Sequence, residues 1–329
     1  MRTVLITGAT GFIGRHLVQV MTRQGLHVRA LVRSAAQAQV ALRDGAEPQR
    51  GDLDDVESLK RASEGCDTCI HLAGLTRARN EAQAMKANAQ GVVRVAEGLP
   101  QGAHCVLISS LAAMGPGTPS LPRRDDSLAQ PVSAYGRSKL AGERALWEAV
   151  QRGVLASGTV LRPPMVYGPY DKDVLGIVRG VARGIALMPA GPMRSYSYAY
   201  GPDLANAIAG CAADPRTHGL SFNVGSSAPV THAALIAAMA VATARRPITV
   251  KLPSFVTWSA ALAGSVAGKL KKRPPILNLD KWREVQAEGW VADSSRFEAL
   301  LPGFFDTSLE DGLRATVGWA RAEGLLSPD

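Results

Sequence analysis

The sequence predicts an α/β fold, a doubly wound parallel sheet joined to a smaller, mostly helical C-terminal domain. Three observations carry this. Short apolar runs, read as buried strands rich in Val, Leu and Ile, recur near residues 3–7, 27–32, 46–50, 68–72, 104–109 and 158–162. Stretches with helical spacing separate several of them, as at 13–23 and 135–151. After Arg162 the alternation stops at Pro163-Pro164, and Gly and Pro recur through Pro192. Runs that are apolar throughout suit strands covered on both faces, which is the condition of a parallel sheet with helices on each side. The sheet domain is expected to take residues 1–165 plus a returning stretch near 195–225, leaving 166–194 and 226–329 to the second domain.

A chain of 329 residues buries a sizeable core. Its 46% hydrophobic and 20% charged residues fit a globular protein and argue against disorder. The net charge of +9, from 37 basic and 28 acidic residues, raises nucleic acid, an anionic membrane and anionic cofactors as partners. The cations are scattered, with their densest cluster at Lys269, Lys271, Lys272 and Arg273. Zinc-ligand spacing, an RNA-binding aromatic signature and a base-reading basic helix are all missing from the sequence, so no nucleic-acid partner is expected. Cys66 and Cys69 form a CxxC with no second pair, and Cys69 opens an apolar run. They read as buried small residues, and no metal is expected. Sparse cysteine use and an N-terminus that leads straight into Val4, Leu5 and Ile6 give the expectation of a cytoplasmic protein. The apolar region 255–267 is interrupted by Thr257, Trp258, Ser259, Gly264 and Ser265 and is too short to cross a bilayer.

The first apolar run leads into Thr7-Gly8-Ala9-Thr10-Gly11-Phe12-Ile13-Gly14, which opens the first helical stretch. Gly8 permits a tight turn, Gly11 lets backbone approach a pyrophosphate, and Gly14 lets the helix pack closely on the strand. The helix N-terminus offers free N–H groups and positive potential to phosphates. The second run ends at Val32-Arg33-Ser34, without the carboxylate that suits the two ribose hydroxyls of NAD. Arg33 can pair with the 2′-phosphate of NADP through its planar fork. NADP(H) is therefore the preferred cofactor, with NAD(H) the alternative.

Tyr135 and Lys139 lie four apart at the start of a helical stretch and so share one face. An ammonium beside a phenol favours the phenolate and lowers a pKa that is otherwise near 10. Such a pair can trade a proton with a carbonyl or alcohol oxygen, and the lysine can also hold the cofactor's ribose. Ser109-Ser110, at the end of the fifth run, can supply a hydroxyl to fix the substrate oxygen.

In this order, these residues resemble the extended short-chain dehydrogenase/reductase family, also described as epimerase/dehydratase-like. The resemblance spans nearly the whole chain. It adds Gly51-Asp52-Leu53, with Asp52 at the adenine amine. It adds the cofactor strand His71-Leu72-Ala73-Gly74, Asn88 in the following helix, and Arg162-Pro163-Pro164-Met165-Val166-Tyr167-Gly168-Pro169, whose Pro163, Met165 and Val166 lie beside the nicotinamide. By the same alignment Ser110 is the catalytic serine and Ser109 faces the cofactor. Taken singly, His71 reads as a packed strand residue, Asp52 as a helix cap and Asn88 as a helix-surface residue. The resemblance implies a Rossmann-type sheet, a small substrate domain and a homodimer joined through two helices per subunit.

The nucleotide-sugar members place Asn where Met165 stands and Arg where Tyr196 stands, although Arg194 is nearby. The C-terminal part instead resembles the branch acting on hydrophobic ketones and alcohols, such as hydroxysteroid dehydrogenases, sterol dehydrogenases and flavonoid reductases. The supporting residues are Pro253 and the apolar stretch after it, Pro274-Pro275-Ile276-Leu277, Gly289-Trp290 and Ser308-Leu309-Glu310-Asp311-Gly312-Leu313. The stretch with Phe255, Val256, Trp258, Leu262 and Val266 has two readings. One is a core helix whose terminal cations suit its dipole. The other is a pocket wall resting on an anionic membrane, a peripheral contact. The expected activity is NADPH-dependent reduction of a ketone, or oxidation of the alcohol, on a hydrophobic steroid, sterol or long-chain keto-lipid. A nucleotide-sugar epimerase or dehydratase with retained NAD, and a non-catalytic NADPH-binding structural or sensor subunit, are the alternatives.

Overall fold

The computed structural model describes residues 3–191, 193–271 and 278–327. Strands β1 (Thr3–Thr7), β2 (His27–Val32), β3 (Glu47–Arg50), β4 (Thr68–His71), β5 (His104–Ile108) and β6 (Ser157–Arg162) fall where the six runs lie. Between them run α1 (Phe12–Arg23), α2 (Ala35–Asp44), α3 (Val56–Ser63), α4 (Glu81–Met85), α5 (Gly91–Gly98) and α6 (Ala134–Gln151). Side-chain oxygens mark the helix starts. Ser34 accepts from the Gln37 amide at α2, Asp55 from Ser58 at α3, and Ser133 from Gly136 at α6.

Beyond β6 follow β7 (Met165–Tyr167), α7 (Lys172–Ala182), β8 (Ile185–Pro189), β9 (Ser195–Tyr196), β10 (Tyr198–Tyr200), α8 (Gly201–Ala213) and β11 (Leu220–Asn223). The chain ends with β12 (Val230–Thr231), α9 (His232–Thr243), β13 (Ile248–Leu252), α10 (Ser254–Lys271), α11 (Leu279–Gln286), β14 (Gly289–Trp290), α12 (Ser295–Leu300) and α13 (Leu309–Ala322).

The central sheet has seven parallel strands in the order β11-β6-β5-β4-β1-β2-β3. The strand order reverses between β1 and β4, and in such sheets the crevice beyond the carboxyl ends at that point takes the ligand. One face is sealed by a core that includes Leu17 and Met21 of α1 and Leu204 and Ile208 of α8. The opposite face is sealed by Leu59 of α3, Val92 and Val95 of α5 and Leu146 of α6. The sheet is therefore doubly wound and Rossmann-type. A third core, with Tyr167, Val178, Met239, Leu313 and Val317, joins α7, α9 and α13.

Three expectations are corrected. The run at 46–50 does form a strand, but Glu47–Arg50 is polar and half-exposed because β3 is the sheet edge and is covered less than its neighbours. The helix after Pro253 is not a core helix. On α10 the rings of Phe255 and Trp258 are 71% and 44% exposed, while Ala261 is buried. Val256 and Leu262 on the same helix are each 39% exposed. The basic cluster at Lys269, Lys271, Lys272 and Arg273, with Pro274, Pro275, Ile276 and Leu277, lies outside the residues whose side chains are described. The return to the central sheet begins at α8 and β11. Residues Ser195–Tyr196, by contrast, pair with β12 and β14 in a separate small sheet. Cys66 and Cys69 are buried free thiols, as their strand context suggests. Among the described residues no helix is long and apolar enough to cross a membrane.

Glycine at 14 is a steric requirement. A β-carbon there would drive into the Gly8 carbonyl and come within 2.8 Å of the Ala9 backbone. Gly14→Ala is therefore expected to cost about 1–3 kcal/mol, the usual range for forced overpacking. A urea-unfolding midpoint equal to wild type would refute this account of the turn.

Candidate active site

Every residue singled out in the first half of the chain falls at the carboxyl end of a parallel strand or on a helix above it. Thr7 and Gly8 follow β1, Arg33 follows β2, Asp52 follows β3, Leu72 to Gly74 follow β4, and Ser109-Ser110 follow β5. Gly8 takes a positive φ of 75°, and a β-carbon on it would sit 2.7 Å from the Ala73 amide nitrogen. This close approach of β1 and β4 makes a backbone cradle that any side chain at position 8 would fill. Gly11 caps α1 with no side-chain hydrogen bond, and the first turn, with Phe12 and Ile13, carries no acid. The amide of Gly11 is used by the Gly8 carbonyl at 3.0 Å, leaving the first helical N–H groups and their positive potential to an anion. Thr10 is half-buried on the same turn. A dinucleotide pyrophosphate fits this arrangement.

Below the cradle, the Thr7 hydroxyl lies 2.6 Å from Nδ1 of His71 and accepts from the Ala73 amide at 3.3 Å. His71 is thus the packed strand residue its position suggests. Burial, with the nearby charge of Lys139, pulls its pKa down to about 3, so the imidazole is neutral.

Arg33 and Asp52 stand apart from this centre, on the outer part of the sheet. Arg33 is exposed and makes no ion pair among the described residues. A hollow of about 110 Å³ lined by Val32, Ser34, Ala35, Pro48 and Arg50 lies at this end of β2 and β3. Arg50 escaped the sequence reading, since nothing local marks the end of β3 as a neighbour of Arg33. Asp52 is exposed and accepts from the Asp54 amide, while Asp55 is the residue that caps α3. Leu53 packs on the α3–α5 core.

The N-terminus of α6 is held from three directions. Ser133 caps it through the Gly136 amide at 3.0 Å. Both carboxylate oxygens of Asp280, on α11, lie 2.9 Å from the Ala134 amide. The Ser138 hydroxyl donates to the Tyr135 carbonyl at 2.7 Å and accepts from Asn88 Nδ2 at 2.9 Å. Asn88 is buried rather than on a helix surface. It sits in a π-helical stretch, Lys86–Gln90, whose wider turn aims its amide inward. There it accepts from the Leu75 amide at 2.8 Å and donates to the Leu75 carbonyl at 3.0 Å, pinning the loop beside Gly74.

The structure brings Ser110, Tyr135 and Lys139 together. The Ser110 side chain stands close enough to the phenol of Tyr135 to favour its ionised form. Lys139 is buried beside Gly74, and its Nζ donates to the Ile108 carbonyl at 2.8 Å. Burial lowers the Lys139 pKa to about 8, with Glu143 partly opposing. The expected depression of the Tyr135 pKa is not observed. Burial dominates and pushes it up to about 12, the Ser110 side chain opposes this, and the charge of Glu284 adds to it. The lysine does not counter this, because its ammonium is turned to the β5 carbonyl.

Ser109 does not line the same space. It is buried, and its hydroxyl donates to Glu143 at 2.5 Å. Glu143 in turn pairs with Arg162 at 2.7 Å, both side chains almost fully buried. Arg162 also donates to the Asp125 carbonyl at 3.0 Å. Pro163 accepts from the Leu111 amide at 2.9 Å, which ties the serine loop to the Pro163-Pro164 turn. Met165 and Val166 are half-buried on β7, paired with Tyr198 and Ala199 of β10. Tyr196 is half-buried on β9, whereas Arg194 is buried with its Nε donating to the Ala287 carbonyl at 3.1 Å. Asp280 and Glu143 were not legible as site residues. Asp280 is 146 positions from its partner, and Glu143 looks like one more charged helix residue.

The sheet order, glycine cradle and serine–tyrosine–lysine cluster define a nicotinamide-dependent enzyme of the extended short-chain dehydrogenase type. The chain belongs to the NAD dependent epimerase/dehydratase family, whose model matches residues 4–225. It is similar to the ceramide reductase of Caulobacter vibrioides, with 30% identity over 98% of this chain and 96% of that one. It is similar to the UDP-glucose 4-epimerase of Vibrio cholerae, with 26% identity over 93% and 94% of the two chains. Among solved structures, MoeE5 in complex with UDP-glucose and NAD superposes with a TM-score of 0.77 at 25% identity, covering 98% of this chain and 99% of that one.

Two outcomes are expected. Glu143→Ala leaves the Arg162 charge buried and unpaired and should destabilise the fold by about 3–5 kcal/mol, measured by urea unfolding. For His71 the folded pKa lies below the unfolded value, so its contribution is intact above pH 6.5. That contribution declines toward pH 3, as the unfolded chain takes up a proton the folded chain refuses. His71→Asn should make the loss of stability between pH 6.5 and 5 shallower, by up to about 1.4 kcal/mol per pH unit. An unchanged slope would contradict the burial argument.

Proposed function

We propose that the protein is an NADPH-dependent reductase of a ketone on a hydrophobic, lipid-like substrate, with Ser110, Tyr135 and Lys139 as catalytic residues. The observation that carries this reading is the placing of Tyr135 beside Ser110 on the helix whose buried Lys139 lies at the glycine cradle. With its pKa at about 12, the Tyr135 phenol holds its proton at neutral pH and can donate it to a carbonyl oxygen. Ser110 orients that oxygen from the other side. Lys139, largely ammonium at neutral pH and anchored on the Ile108 carbonyl beside Gly74, would hold the ribose of the bound cofactor. When bound, the nicotinamide supplies the hydride. Thr7, Gly8, Thr10 and Gly11 would hold the pyrophosphate, Asp52 and Leu53 the adenine side, and Leu72 to Gly74, Asn88, Pro163, Met165 and Val166 the nicotinamide side.

The choice of NADPH rests on exposed Arg33 at the end of β2, where no carboxylate stands, and on Arg50 paired beside Val32 on the neighbouring strand. The choice of an apolar substrate rests on Met165 and Tyr196 and on Arg194 being buried and engaged with a backbone carbonyl. A diphosphate has little to grip there. The likeness to a ceramide reductase agrees with that chemistry. The likeness to MoeE5 favours a second reading, a UDP-sugar enzyme with retained NAD.

Tyr135→Phe is expected to lower turnover by about 10²–10⁴-fold while NADPH binding, read by fluorescence titration, stays within a few-fold. Undiminished turnover would overturn the mechanism, and conversion of a UDP-sugar without net NADPH consumption would favour the second reading. Arg33→Ala should weaken NADPH by about 10–100-fold and leave NADH unchanged. Equal effects on both cofactors would remove Arg33 from phosphate recognition.

A further inference from the structure

Between Pro215 and Leu279 the sequence contains no Asp or Glu, yet it carries eight Lys or Arg. Within that acid-free stretch the structure exposes large apolar side chains in succession. Ile248 on β13 is 74% exposed, and Phe255, Val256, Trp258 and Leu262 follow on α10. β13 pairs with β8 in register, placing exposed Ile185 beside Ile248 and exposed Leu187 beside Val250. Scattered apolar residues on a surface are ordinary, but a run of them across adjoining elements marks a contact face.

Cations frame this face. Arg183 and Arg245 precede the two paired strands, where the Ile248 amide donates to the Gly184 carbonyl at 2.8 Å. With Arg179 and Arg321 they line a hollow of about 120 Å³, and no carboxylate is among its described lining residues.

We propose that this face docks on the surface of an anionic lipid bilayer. Phe255, Trp258 and Ile248 would enter the acyl boundary, and the arginine hollow would meet lipid phosphates. Charge argues against a second copy of this chain as the occupant. A two-fold contact through this face would set cations against cations. The proposal deepens the reductase reading and rests on it for its purpose, because the face is mechanically joined to the catalytic helix. Trp282 of α11 donates to Thr257 of α10 at 3.2 Å, and the Leu279 amide donates to Ser265 at 3.1 Å. The same α11 carries Asp280, which holds the Ala134 amide beside Tyr135. A ketone still seated in the bilayer would then meet the active site without crossing water.

The test is co-sedimentation of the full-length chain, with and without NADPH, on vesicles of phosphatidylcholine alone or mixed with phosphatidylglycerol. Wild type should bind the mixed vesicles, bind phosphatidylcholine poorly, and be released by high salt. Phe255→Ser/Trp258→Ser and Arg183→Glu/Arg245→Glu should each reduce binding at least about tenfold, at unchanged thermal midpoint. Wild-type protein that stays in the supernatant, or variants that bind as wild type does, would overturn the proposal. So would variants that convert a dimer to monomer without changing vesicle binding. Reduction of a water-soluble ketone, assayed without vesicles, reports on the reductase reading separately. Vesicle binding with no ketone reduction sinks that reading alone, and ketone reduction with no vesicle binding sinks the docking face alone.

Discussion

A buried carboxylate sets the orientation of the helix that carries the catalytic candidates. Glu143 lies two turns beyond Tyr135 on α6 and is closed on by Arg162 from β6 and Ser109 from the end of β5. Both partners in the ion pair have lost nearly all contact with water, so neither tolerates the other's removal. The pair therefore acts as a register pin. It fixes the rotation of α6 against the sheet, and with it the face on which Tyr135 and Lys139 stand. Rotating α6 out of register would strand two buried charges at once.

From that pin the remaining geometry follows by contact. Lys139, one turn before Glu143, is carried into the sheet, where its ammonium finds the Ile108 carbonyl and the space left by Gly74. Burial lowers its pKa, which is the energetic cost of placing a cation beneath the cofactor cradle. The π-helical turn at Lys86–Gln90 departs from regular geometry where Asn88 must reach both the Leu75 backbone and Ser138. An irregular helix at a site of dense side-chain to backbone bonding is a recurrent use of that distortion.

One place where the two halves of the molecule meet is the start of α6. Free N–H groups there attract a carboxylate, and Asp280 supplies it from the far end of the chain. Through this contact the C-terminal elements are coupled to the helix that bears Tyr135. The same carboxyl-edge arrangement explains why residues scattered from Thr7 to Val166 share one rim. In a parallel sheet, each strand delivers its carboxyl end to the same side.

The sequence by itself determined the strand and helix alternation, the glycine cradle and the pairing of Tyr135 with Lys139. Each of these depends on neighbours within a few residues. Apolar runs report burial, positive φ demands Gly8, and a spacing of four defines one helical face. Only the tertiary structure decided that Ser109 serves Glu143 and that Asn88 is buried. Only it showed that desolvation drives the Tyr135 pKa up, and that α10 carries its apolar face on the outside. Those outcomes depend on which groups meet across 13 to 146 positions of chain and on what covers each surface. Local periodicity cannot encode this, because one apolar helical pattern serves equally a core, a pocket wall or an uncovered face.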